Sequence, residues 1–174
     1  MSVTFDQIAA MVLRGLFLGF GVFIMLWAPG RPGKGRHRAS TALLWGYLVS
    51  LFMITAIRQG EYLLSFWRMD HSAVALQLTP ITVTLQQGRA GLLYLLWPVL
   101  GNIFWFLPFG LMWRHRQRKK RLLPLLFWAM SLSLSIEFLQ WLFLSGVPDV
   151  DDVLFNTLGA GLGAGLHAWF WKRK

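Results

Sequence analysis

The sequence predicts an all-α, polytopic integral membrane bundle of about five transmembrane helices. Its N-terminus is expected outside, its C-terminus in the cytoplasm, with an ordered extracytoplasmic loop. Three observations predict this. The 174 residues are 56% hydrophobic and 14% charged, whereas about a quarter of a soluble domain is charged. Several apolar stretches approach roughly 20 residues, the length that crosses a ~30 Å hydrocarbon core as a helix. Apart from Arg14, the Lys and Arg residues fall outside these stretches.

Segment one runs from about Ile8 to Ala28 and is interrupted by Arg14. "PGRPGKGRHR" (29–38) ends it with Pro, Gly and charge. Segment two spans about Ala39–Ile57, segment three Gly91–Trp113, segment four Leu122–Leu144 and segment five Asp152–Trp171. "RHRQRKKR" (114–121) separates segments three and four, and "KRK" closes the chain. With five crossings, Arg31, Lys34, Arg36 and Arg38 share one side with residues 114–121 and the Lys172–Lys174 tail. Asp6, Glu61, Asp70, Asp149, Asp151 and Asp152 fall on the other. The positive-inside rule makes the basic side cytoplasmic. The N-terminal region lacks the basic start of a cleaved signal and reads as an uncleaved anchor. Residues 1–38 then form an anchor with a basic loop, and 39–174 the main membrane domain.

The net charge of +10 does not point to nucleic acid, because it is explained by loop topology. Cysteine is absent, which excludes disulfides and thiolate chemistry. In the long loop, "EYLLSFWRM" (61–69) suits an interfacial helix, with Tyr62 and Trp67 at headgroup depth. "ALQLTPITVTL" (75–85) contains Pro80 and reads as extended. His71 stands alone and reads as structural.

Polar residues inside apolar segments are costly and mark a bundle interior or a wet cavity. Arg14, Asn102, Glu137, Gln140 and Asn156 are such positions. Helix rise puts Arg14 and Glu137 both about 10 Å below the outer boundary, so one reading pairs them and leaves Gln140 and Asn156 to bond between helices. The other reading gathers Glu137, Gln140, Asn156 and the nearby aspartates into one outward-facing polar pocket. "PDVDD" (148–152) suits a helix start, where Asp149 or a neighbour caps free N–H groups. Asp149, Asp151 and Asp152 holding a divalent cation is the alternative, although no strong metal motif is present. Gly159 with Gly163, and Gly161 with Gly165, have small-xxx-small spacing that suits close packing within the chain. A homo-oligomer face through Gly159 and Gly163 is the alternative.

Three blocks resemble elements of the VanZ-like family of membrane proteins. They are "LQLTPITVTL" (76–85), "GNIFWFLPFG" (101–110), and "SIEFLQ" (135–140) followed by "DVDDVLFNTLGAGLG" (149–163). The resemblance covers segment two to the C-terminus, residues 39–174. Asn102, Pro108, Phe109, Gly110, Glu137, Gln140, Asp149, Asp152, Asn156 and Gly159 stand on the family pattern. Gln77 and Ile81 depart from the first block. Gly146 stands where members commonly carry an Arg; Arg14, Arg68 and Arg89 are candidate substitutes.

The resemblance implies a multi-pass protein of the bacterial cytoplasmic membrane, linked to resistance to the lipoglycopeptide teicoplanin. It supplies no established reaction. The expected partners are membrane lipids and an amphiphilic small molecule, held at Glu137, Gln140, Asp149, Asp151, Asp152, Asn156, Asn102 and Arg14. No catalytic residue or obligate cofactor is identified. An intramembrane enzyme acting on a lipid-linked envelope precursor, or a small lipid flippase, is the alternative. The absence of a nucleophile beside a base argues for the non-enzymatic reading.

Overall fold

The computed structural model describes residues 5–27, 35–56, 70–72, 74–89, 91–117 and 121–171. Among them are six helices: α1 (Phe5–Trp27), α2 (Gly35–Thr55), α3 (Thr82–Arg89), α4 (Leu92–Arg116), α5 (Leu122–Leu142) and α6 (Val150–Trp171). The chain divides into two compact units, Met1–Met69 and Asp70–Lys174.

The first unit is the α1–α2 hairpin. Its helices meet at small residues: Gly19 lies on the Gly46 carbonyl and Ser50, Gly46 on the Gly19 carbonyl, and Gly15 on Ile54. None of these three positions has free room for a Cβ. Such contacts let backbones approach where no water drives association. Arg38 Nε donates to the Leu26 carbonyl at 2.9 Å, bonding an acceptor that the end of α1 leaves open. Ser50 and Thr55 hydroxyls bond back to the carbonyls four residues earlier. That satisfies both hydroxyls inside an apolar helix.

The second unit contains α3 to α6. Helix α6 runs parallel to α4: Asn102 meets Asp152, Leu107 meets Gly163, and His115 meets His167. It runs antiparallel to α5, with Glu137 at Asp149, Ser133 at Asn156 and Leu126 at Gly161. Gly159 and Gly163 lie on the α4 backbone at Ile103 and Leu107, and Gly110 lies on the Ala160 carbonyl. The Gly159–Gly163 face is therefore occupied inside the chain, whereas Gly165 faces open space. Phe106, Phe109, Leu125, Ala129, Ile136, Ala160 and Ala164 complete this unit's core. Pro98 and Pro108 lie inside α4. Each removes a backbone donor that a membrane helix can spare when neighbours compensate.

Large apolar side chains cover the outside, including Phe17, Trp97, Leu123 and Phe138. Each is worth about 1.5–3 kcal/mol when taken out of water, so these surfaces suit acyl chains. Among the described residues, four helices are long and apolar enough to cross a membrane: Ala9–Trp27, Arg38–Thr55, Leu92–Arg116 and Leu122–Leu142. The expected fifth segment is a helix of 22 residues, but it is not among these four. Asp151, Asp152, Asn156, His167 and its glycines dilute its apolar character.

Two further expectations are revised. The basic run after segment three does not stop α4 at Trp113, because the helix continues to Arg116. The stretch 75–85 is extended only in its first part, and α3 begins at Thr82. The proposed interfacial helix 61–69, with Glu61, Tyr62, Trp67 and Arg68, lies outside the described residues. So do Arg31, Lys34, Arg118 to Lys120, the Lys172–Lys174 tail and the side chain of Asp6.

Candidate functional site

The candidate site is the turn between α5 and α6, together with what packs on it. Helix α5 ends in a Schellman motif. Ser145 N–H donates to Gln140 O at 2.9 Å and Leu144 N–H to Trp141 O at 3.2 Å, with Leu144 at φ 48°. This closes the exposed carbonyls of the last turn and reverses the chain into Gly146–Pro148. Asp149 then caps α6: its Oδ1 accepts the Asp151 N–H at 2.9 Å, the bond expected of an N-cap carboxylate. Glu137 Oε2 accepts the Asp149 N–H at 2.9 Å. The buried carboxylate of α5 thus faces the N-terminus of α6, the positive end of that helix's dipole.

The segment 76–85 straps across this turn. Gln77 pairs with both neighbours of Asp149: its N–H donates to Pro148 O at 3.0 Å, and its carbonyl accepts from Val150 N–H at 3.1 Å. Asp151, 1% exposed, receives the Ile81 N–H at 2.6 Å and the Thr84 hydroxyl. Ile81 has φ 65°, a conformation a β-branched residue rarely adopts; its bond to Asp151 holds it there. At the end of α5, His71 Nε2 lies 3.0 Å from Leu142 O, and its ring lies 4.7 Å from that of Trp141. His71 is therefore structural, as its isolation in the sequence suggests.

The remaining predicted residues fall on the same helices. Asn102 donates to Asp152 and ties α4 to α6. Asn156 is buried, and its Nδ2 donates to Ser133 Oγ at 2.8 Å. Its Oδ1 is buried with no hydrogen-bond partner. Gln140 is buried, its side chain against Gly146, where an added Cβ would stand 3.3 Å from the amide carbon. Arg14 is exposed on α1 in the first unit, among exposed Leu13, Leu16 and Phe17. One reading pairs Arg14 with Glu137, which stands in the other unit; within its own unit Glu137 accepts the Asp149 N–H.

Sequence reasoning missed Ser133, Gln77 and Thr84. Ser133 stands four residues before Glu137, a spacing that shares one helix face and was readable in "SLSLSIEFLQ". Gln77 and Thr84 carry no local signal, because their partners lie some 70 residues away.

The three aspartates point to different partners: Asp149 to its own helix start, Asp151 to the strap, Asp152 to α4. Among the described residues, no three His, Cys, Asp or Glu side chains are grouped to hold a metal. Burial pushes the Asp149 carboxyl above its ordinary range; the Asp151 N–H bond opposes this and the Asp151 charge adds to it. Exposed Asp70 is held lower by the Ser72 hydroxyl and N–H.

A helical membrane protein with a polar network buried at one end of its α4–α6 bundle is the class that fold and site define. The chain belongs to the VanZ/LLP1 family, whose profile matches residues 42–171. It is similar to Protein VanZ of Enterococcus faecium, at 30% identity over 128 residues, covering 74% of this chain and 73% of that protein. No solved structure matches. The matched region holds every candidate residue except Arg14.

Proposed function

We propose that this chain is a five-crossing protein of the bacterial cytoplasmic membrane whose acidic turn faces outward and receives an amphiphilic ligand, a lipid or a lipoglycopeptide. The family link carries the association with teicoplanin resistance. In this reading α6 is the fifth crossing, carried by its place between α4 and α5. Arg114, His115 and Arg116 mark the cytoplasmic end, as the positive-inside rule requires.

The observation that carries the reading is the Asn156 Oδ1 acceptor, buried and unbonded on α6, with the Glu137–Asp149 and Asn102–Asp152 bonds at the start of the same helix. A buried acceptor without a donor costs about 1–3 kcal/mol. A ligand hydroxyl, amide or ammonium group reaching it recovers that energy. Glu137 supplies charge where the surroundings screen it least. Gln140 orients the head group, and Trp141 and Phe143 offer aromatic surface to the tail.

Glu137→Gln tests this directly, because the amide keeps an acceptor oxygen for the Asp149 N–H and removes only the charge. In a susceptible host expressing the chain, the variant is expected to lose the rise in teicoplanin inhibitory concentration at equal membrane abundance. An unchanged concentration rejects Glu137 as essential.

A further inference from the structure

The strap 76–85 is built inside out. Gln77 turns its backbone onto the acidic turn, whereas its neighbours Leu76 and Leu78 are 54% and 70% exposed. Thr84 is 8% exposed against Asp151, while Leu85 beside it is 59% exposed. Ile81 gives its N–H to Asp151 and leaves its side chain 51% exposed. A segment in water would hide these four apolar groups and show the polar ones. Leaving each in water forgoes about 1.5–3 kcal/mol.

Helix register places the strap at a depth that accounts for the inversion. Asp152, in the first turn of α6, meets Asn102, which lies well inside α4. Helix α6 therefore starts about 12 Å below the start of α4, at 1.5 Å of rise per residue. The Gln77–Asp149 bridge holds the strap at the level of that recessed start. Beside and above it, the first two turns of α4 expose Leu92, Leu93, Tyr94 and Trp97, and Gly88 of α3 packs on Leu95. The apolar face of the strap thus continues the acyl-chain-facing surface of α4. Non-helical backbone is tolerated at membrane depth when protein satisfies it. Here Pro148, Val150 and Asp151 bond Gln77 and Ile81. Exposed Arg89 at the end of α3 can reach up to headgroups.

From these features we infer that residues 76–85 are a re-entrant element of the bilayer, seated in the leaflet that holds the first turns of α4, with Leu76, Leu78, Ile81 and Leu85 against lipid acyl chains. The strap separates the acidic turn from lipid and is not a cap standing in water.

The chain has no cysteine, so single nitroxide labels are unambiguous. The full-length variants Leu78→Cys and Leu85→Cys are labelled in phosphatidylcholine–phosphatidylglycerol vesicles, with Leu93→Cys as the lipid reference and exposed Ser72→Cys as the water reference. Collision rates with oxygen and with a water-soluble nickel chelate are measured. Labels at 78 and 85 are expected to match 93, with oxygen contact several-fold higher relative to nickel than at 72. Nickel contact equal to that at 72 overturns the inference in favour of a solvated cap. Shielding from both reagents overturns it in favour of a protein partner, such as a second copy. Leu76→Cys and Ile81→Cys repeat the test if either first variant fails to incorporate.

Discussion

Two substitutions at Asp149, in the acidic turn, have opposite expected outcomes. Asp149 caps α6 but sits where burial disfavours its charge. Its folded pKa is raised, so its contribution to stability is full below the ordinary carboxylate range and is lost as pH rises through the raised value. Asp149→Asn keeps the capping oxygen and removes the titration. The variant is expected to match the parent in thermal midpoint near pH 4 and to exceed it at pH 7. Asp149→Ala, which also loses the cap, should fall about 1 kcal/mol below Asp149→Asn at both pH values; detergent-phase melting curves compare all three. Ser133→Ala leaves the Asn156 Nδ2 buried without its partner and should cost about 1–3 kcal/mol. Glu137, Asn102 and Asn156 were legible because amides and carboxylates are expensive in an apolar helix. Ser133 was passed over despite its spacing from Glu137, because serines commonly satisfy themselves inside helices, as Ser131 and Ser135 do on carbonyls four residues back. One donor to Glu137, the Asp149 N–H, was not legible, because depth matching considers side chains and this donor is a backbone group at a helix start.

Among the elements, α6 shows how sequence and packing divide the work. Gly159, Gly163 and Gly110 bring α4 and α6 to backbone contact. Gly159→Leu or Gly163→Leu must push the helices apart, and a loss of about 1–3 kcal/mol or more is expected. Gly165 and Gly101 meet nothing within 4 Å, so Ala there should be neutral or gain about 0.5–1 kcal/mol from helix propensity. Membrane abundance and melting midpoint should separate the two groups. The long helices were legible from apolar runs, and their ends differ from expectation mostly by a turn or less. The α4 boundary was misplaced because basic residues favour the C-terminal end of a helix dipole, so Arg114–Arg116 extend the helix they seemed to end. The strap was the least legible element, since long-range bonds to Asp151 decide its shape. Asp151→Ala should release it: amide exchange at Gln77 and Ile81 is expected to quicken while α5 stays protected.

At the scale of the whole molecule, the second unit is polar at both ends and apolar between them. Glu137, Asp149, Asp151 and Asp152 gather at one end, and Arg114, His115, Arg116 and His167 at the other. Reporter fusions after Gln117 and after Lys174 are expected to show cytoplasmic activity, and a fusion after Gly146 external activity. A cytoplasmic signal at Gly146 would refute the proposed orientation. The same arrangement has a consequence for engineering. Because α4 and α6 run side by side in one direction, their peptide dipoles reinforce instead of cancelling. The acids crowd the amino-terminal end of α6 and the bases stand in the last turn of α4, so each cluster offsets one end of the field that the pair itself creates. Insertion polarity and bundle cohesion thus draw on the same side chains, and exchanging those charges to turn the protein over in the bilayer would loosen the helices being turned.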